Sequence, residues 1–205
     1  MNVKICGITS FEAASWAREA GADMIGFVFA ESSRRIPAEF ARQLAEAVGP
    51  NVKKVGVFVN EEADVIREIV KTAGLDYVQL HGDESPEFAK KMPVPVIKAF
   101  SSKEGITFKE MFRYPADYVL IDSPPAQFRG GSGKTFDWSI LEDPYVDKNR
   151  LILAGGLNPD NIEEAVRSIQ PYAVDISSGV ETDGKKDEVK VFQFVQRAKG
   201  AVNFE

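Results

Sequence analysis

Cys6, His81, Asp122 and Asp175 are proton-transfer residues, and each stands near the end of a short apolar run: "VKICGI", "YVQLHG", "YVLIDS" and "AVDISSG". Ordinary pKa values of about 3.9 for aspartate, about 6.5 for histidine and about 8.5 for cysteine bracket neutrality, so the set is suited to general acid–base chemistry. Successive side chains of a strand point to opposite faces. Val3 and Ile5 then share one side while Lys4 and Cys6 share the other, and Val78 and Leu80 oppose Gln79 and His81. In the same way Ile97 opposes Lys98, Val119 and Ile121 oppose Asp122, and Val174 and Ile176 oppose Asp175. Buried polar groups are destabilising unless they pair or face a wet cavity. A catalytic pocket is the expected reason for a whole polar face. On general chemistry His81, the sole histidine, is the obvious base, and a lone cysteine is more often a small buried hydrophobe.

The elements that must position these residues follow from periodicity. To the four runs above are added "MIGFVFA", "KVGVFVN", "PVIKAF" and "LILAGG", and between them lie helical patterns such as "SFEAASWAREAG", "PAEFARQLAEAV", "EADVIREIVKTAG" and "NPDNIEEAVRSIQ". Ser10 and Pro37 are start signals and Gly21 and Gly74 stop signals; "KDEVKVFQFVQRAKG" supplies the last helix. Eight strand–helix units in 205 residues predict an α/β fold, one (β/α)8 TIM barrel domain spanning residues 1–205. A doubly wound sheet is the alternative, but no strand is followed closely by G-x-G-x-x-G, so a dinucleotide site has no support. Active sites of such barrels form at the C-terminal ends of the strands, where Cys6, His81, Asp122 and Asp175 are placed.

The last two strands suggest an anion site. "LILAGGLNPDN" runs into Gly155 and Gly156 and then Asn158-Pro159, a cap and first-turn pair, while "DISSGVE" places Ser177, Ser178 and Gly179 after the eighth strand. Barrels commonly bind phosphate with these two loops through backbone N–H groups. "FAESSRRIP" puts Arg34 and Arg35 in the loop after strand two, where a guanidinium would suit a carboxylate at the other end of a phosphorylated ligand. "FRGGSGKTFDW" (128–138) ends like a Walker A loop, but Phe128 stands where its first glycine belongs, and two prolines separate it from the preceding strand. It is expected to be a surface loop or a lid over the ligand rather than a nucleotide cradle.

Net charge of −6 lacks the concentrated basic footprint that nucleic acid requires. With one cysteine no internal disulfide forms, and the N-terminus shows no long apolar signal segment. A cytoplasmic protein that neither spans nor binds a membrane is expected, a monomer or homodimer.

Together the motifs resemble the phosphoribosylanthranilate isomerase family of tryptophan biosynthesis. "KICGIT", "GFVF" with "SSRR", "VGVFVN", "VQLHG", "LIDS", "GGSGKTFDW", "AGGLNPDN" and "DISSGVE" with "GKKD" occur in order along essentially the whole chain. The resemblance implies a cofactor- and metal-independent Amadori rearrangement of N-(5-phosphoribosyl)anthranilate to the carboxyphenylamino-deoxyribulose 5-phosphate. It implies that Cys6 is the base, Asp122 the acid, Arg35 the partner of the anthranilate carboxylate, and Gly155, Gly156, Ser178 and Gly179 the phosphate site. Gln79, His81 and Asp175 then line the pocket, and 128–138 is the substrate-bordering loop after strand six. A related histidine-pathway or dual-specificity isomerase is disfavoured, since those enzymes resemble this chain but place aspartate where Cys6 stands. A non-catalytic phosphate-ligand barrel would need neither Cys6 nor Asp122.

Overall fold

The computed structural model describes residues 1–101, 106–122 and 138–201. Eight parallel strands, β1 (Asn2–Cys6), β2 (Met24–Val28), β3 (Lys53–Phe58), β4 (Tyr77–Leu80), β5 (Val96–Ser101), β6 (Tyr118–Asp122), β7 (Leu151–Ala154) and β8 (Ala173–Ile176), pair in sequence order and close into a barrel. Closure joins β8 to β1, with Lys4 level with Asp175. The helices α1 (Phe11–Ala20), α2 (Ala38–Val48), α3 (Ala63–Ala73), α4 (Pro86–Ala89), α5 (Phe108–Arg113), α6 (Ile162–Ile169) and α7 (Glu188–Gly200) lie between and after the strands.

Local signals explain most helix boundaries. The Ser10 hydroxyl accepts from the Ala13 amide at 3.2 Å, and Gly21 ends α1 in the left-handed region at φ 88°. Helix α6 begins later than Asn158-Pro159 suggests. The Asn158 side chain accepts from the amides of Asp160 (2.8 Å) and Asn161 (3.2 Å), while the Asn161 side chain accepts from the Asn158 amide (2.9 Å) and donates to Gly156 O (3.0 Å). This reciprocal turn satisfies the backbone groups that a longer helix would have used, and it pins the loop after β7.

The barrel has two apolar layers. Val3, Ile5, Val78, Leu80, Val119, Ile121, Val174 and Ile176 face the helices in one core, and Met24, Val55, Ile97, Ala99, Leu120, Ile152, Ala154 and Ala173 form a second core inside. Tyr77, Tyr118 and Tyr172 pack against the inner core, with Tyr118 and Tyr172 stacked at 4.3 Å between centroids.

One strand departs from the expected facing. Ile97 and Ala99 belong to the inner core, so Lys98 faces outward and not into the barrel. Its Nζ donates to Leu80 O (3.3 Å), Gly82 O (2.6 Å) and Glu84 Oε2 (2.8 Å). Glu84 in turn accepts from the amides of Asn60 (2.8 Å) and Gly82 (3.0 Å). This buried pair clamps the loop that follows His81. Removing one partner leaves an uncompensated buried charge, a loss of about 3–5 kcal/mol. Lys98→Met should therefore lower stability by about that amount in urea or thermal unfolding, and an unchanged midpoint would show that the clamp contributes little.

Candidate active site

A cavity of about 570 Å³ opens at the C-terminal ends of the strands. Its floor and walls include Cys6 from β1, Gln79 on β4 and His81 just beyond it, Asp122 from β6 and Asp175 from β8, all on the inward face. The rim on one side is backbone: Gly155, Gly156 and Asn158 after β7, and Ser177, Ser178 and Gly179 after β8. Every expected site residue except Arg35 thus meets in one space. The two glycine loops are packed on each other so closely that a β-carbon at Gly179 would stand 2.0 Å from Leu157 O. Only glycine allows that approach.

The missing residue has a geometric cause. After β2 the chain turns at Ser32, whose hydroxyl and carbonyl accept from the amides of Arg34 and Arg35, each at 3.1 Å. Arg35 then pairs in parallel with Val28 and Ile36 becomes buried. Alternation along that extended segment sends Arg34 to the cavity mouth. Arg35 lines a separate hollow with Phe29, Ile36, Pro37 and Val65. Of the two arginines, Arg34 is the one that shares the cavity with Cys6 and Asp122.

Charge inside is arranged in pairs. Lys4 is wholly buried beneath the cavity, with Nζ 3.0 Å from Asp175 Oδ1. Burial opposes its charge, but Asp175 and the Cys6 sulfur beside it outweigh that and raise its pKa. Burial pushes the Cys6 thiol up; Lys4 opposes this by charge and hydrogen bonding, Asp175 adds to it, and Lys186 opposes it more weakly. The Asp122 carboxyl is likewise raised, chiefly by burial, with His81 pulling the other way and Asp175 adding a little. His81 is lowered by burial despite Asp122 and Asp175. A neutral His81 fits its contact with Gln79, whose Nε2 lies 3.1 Å from His81 Nδ1. Gln79 Oε1 is buried without a protein partner, an exception to the rule that buried polar atoms are paired.

Chemically this is a pocket for moving protons on an anionic small molecule. It offers a thiol, a carboxyl biased toward its neutral form, backbone loops suited to phosphate and a guanidinium. Among the described residues no group of three or more His, Cys, Asp or Glu side chains is arranged to hold a metal ion. A second cavity of about 820 Å³ adjoins the first at His81 and is lined by Lys98, Glu84, Phe100 and Tyr114. Sequence reasoning placed both Arg34 and Arg35 in this loop and took Arg35 by resemblance, whereas Arg34 lines the cavity; it missed Glu181 and Lys186, which pair beside the mouth. Most of the segment 128–138 lies outside the described residues. No helix among the described residues is long and apolar enough to cross a membrane.

A family model for N-(5'-phosphoribosyl)anthranilate isomerase matches residues 3–197. N-(5'-phosphoribosyl)anthranilate isomerases of Bacillus cereus (strain Q1) and Listeria innocua are each 50% identical over 200 residues, covering 97% and 98% of this chain and 98% of either relative. The crystal structure of the Thermotoga maritima phosphoribosyl anthranilate isomerase superposes with a TM-score of 0.87 at 42% identity, over 98% of this chain and 99% of that one. A phosphoribosyl anthranilate isomerase in complex with reduced 1-(o-carboxyphenylamino)-1-deoxyribulose 5-phosphate gives 0.85 at 40% identity, with the same coverage. The chain belongs to the N-(5'-phosphoribosyl)anthranilate isomerase family.

The charge arrangement makes a measurable statement about Cys6. Iodoacetamide should react slowly at neutral pH, its rate rising with pH through an inflection above that of a free thiol. Lys4→Met should move the inflection further up, because it removes the cation and leaves Asp175. A downward shift in Lys4→Met would reverse the sign assigned to Lys4.

Proposed function

We propose that the chain isomerises N-(5'-phosphoribosyl)anthranilate to 1-(2-carboxyphenylamino)-1-deoxyribulose 5-phosphate, an Amadori rearrangement in tryptophan biosynthesis. The observation that carries it is the meeting of Cys6 and Asp122 in one cavity, between two phosphate-suited loops and Arg34. The aldose carbon is reduced and its neighbour oxidised within one molecule. Proton transfers therefore suffice and no cofactor is invoked, which makes the enzyme an intramolecular oxidoreductase of the aldose–ketose type.

In this reading the phosphate binds the backbone of the loops at Gly155, Gly156, Ser178 and Gly179, through N–H groups that favour an anion without a lysine. The anthranilate carboxylate meets Arg34 rather than Arg35, since Arg34 is the arginine at the mouth. Asp122, whose pKa burial raises, protonates the furanose ring oxygen and opens the ring to a Schiff base. Cys6, as thiolate beside Lys4, takes the C2′ proton, and the enolamine tautomerises to the ketone. The Gln79 amide and neutral His81 line the path, and Asp175 holds Lys4 in place. The cavity lies within one chain, in keeping with a monomer or a homodimer acting on a small phosphorylated molecule. We place the enzyme in the cytoplasm, acting without nucleic acid or membrane, as one domain.

The test is turnover of freshly prepared substrate, followed by loss of anthranilate fluorescence. Cys6→Ala and Asp122→Asn should each lower kcat by about 10²–10⁴-fold, the usual share of a positioned acid or base. Both should still bind a reduced product analogue. Arg34→Ala should raise KM strongly and Arg35→Ala little; the reverse order would return the carboxylate to Arg35. Near-normal turnover by Cys6→Ala would make His81 the base.

A further inference from the structure

Arg34 enters the mouth from a turn, and a long side chain there has many rotamers to lose before it can hold a ligand. The structure removes that freedom on two sides. Its Nε donates to Glu181 Oε1 at 2.8 Å and its Nη2 to Glu181 Oε2 at 2.6 Å, a two-bond pairing with fixed geometry. Its Cδ lies across Gly7, where a β-carbon would stand only 2.5 Å away. One edge of the guanidinium is thereby occupied. Arg34 remains 30% exposed in its side chain while Glu181 is 7% exposed, so the arginine reaches the cavity and the carboxylate stands behind it.

Glu181 is itself built in. The segments Glu181–Thr182 and Lys185–Lys186 pair antiparallel, joined by Asp183 and Gly184, both at positive φ (51° and 76°). Asp-Gly is the favoured pair for such a two-residue turn, and its register sets Lys186 opposite Glu181. Lys186 Nζ lies 2.6 Å from Glu181 Oε1 and donates to Ser177 O at 3.0 Å. Lys190 Nζ donates to the Glu181 carbonyl at 2.8 Å. Burial works against charge on Glu181, but the bonds from Arg34 and Lys186 keep its pKa below the usual carboxylate range. One carboxylate shared by two cations leaves net positive charge for an incoming anion.

We propose that Glu181 is a positioning residue, whose carboxylate holds the Arg34 guanidinium in the attitude that receives the substrate carboxylate. The same carboxylate, through Lys186 and Ser177, ties that end of the site to the loop assigned to phosphate. This rests on the assignment of Arg34 to the anthranilate carboxylate. Glu181 does not line the cavity and makes no contact with substrate in this scheme; its effect is carried by Arg34.

The test uses two inhibitors: the reduced product analogue, and the same molecule lacking the anthranilate carboxylate. Glu181→Gln should weaken the first and raise KM by about tenfold, a difference readily measured as affinity. It should leave the second inhibitor and kcat within about threefold. Arg34→Ala should show the same selectivity, more strongly. Glu181→Asp, which withdraws the charge by one methylene, should show selective weakening too and serves if Glu181→Gln does not fold. Equal weakening of both inhibitors by the Glu181 variant would overturn the proposal, as that marks a generally disturbed mouth. Selectivity in Arg34→Ala with none in Glu181→Gln would also overturn it while leaving the carboxylate assignment standing. If Arg34→Ala does not distinguish the inhibitors, that assignment fails first and the positioning role falls with it.

Discussion

The Lys4–Asp175 ion pair lies inside the seam where β8 closes on β1, and the rest of the site is arranged around it. Two charges in so dry a place are each several kcal/mol unfavourable alone, and they persist only as partners. Around and below them the barrel is filled by Met24, Val55, Ile97, Leu120, Ile152 and Ala173, against which the three tyrosines pack. Cys6 is the next inward residue of β1 after Lys4, so the pair fixes both the height at which polarity begins and the field at the sulfur. A fully apolar interior would be more stable in principle, but it would take from Cys6 the cation that acts on it most strongly.

Much of this was legible because strict alternation has few interpretations. In "VKICGI", "YVQLHG" and "AVDIS" an apolar residue flanks each polar one, "YVLIDS" sets Asp122 one step from Ile121, and the structure puts Lys4, Cys6, Gln79, His81, Asp122 and Asp175 on the inner face. "PVIKAF" carries two successive apolar residues before its lysine. Either facing then buries an apolar side chain, and the ladder decided: Gln79 pairs with Ile97 and Leu80 with Lys98. Register-paired residues of parallel strands share a face, so Lys98 went outward to Glu84. Alternation could not choose between Arg34 and Arg35 either, because the Ser32 turn resets its phase. The Glu181–Lys186 contact had a readable signal in "ETDGKK", where Asp-Gly flanked by two residues on each side sets up a hairpin.

Burial creates a conflict that the placement of charges answers. Burial that raises the Asp122 carboxyl also discourages a thiolate on Cys6, and both groups are shifted up. Acid–base work needs the opposite states at once: a neutral carboxyl and an ionised sulfur. Among the described residues the cations that act on Cys6 come from neighbouring parts of the barrel, Lys4 on β1, Arg34 after β2 and Lys186 after β8. Asp122 stands on β6, with neutral His81 of the β4 end as its neighbour and the Asp175 charge pressing its pKa further up. Lys4 and Lys186 lower the energy of a thiolate on Cys6 and are not among the groups that shift Asp122, while Asp175 and Glu181 pair with the cations. Two ion-paired clusters, Lys4–Asp175 at the seam and Arg34–Glu181–Lys186 at the hairpin, thus act together on Cys6.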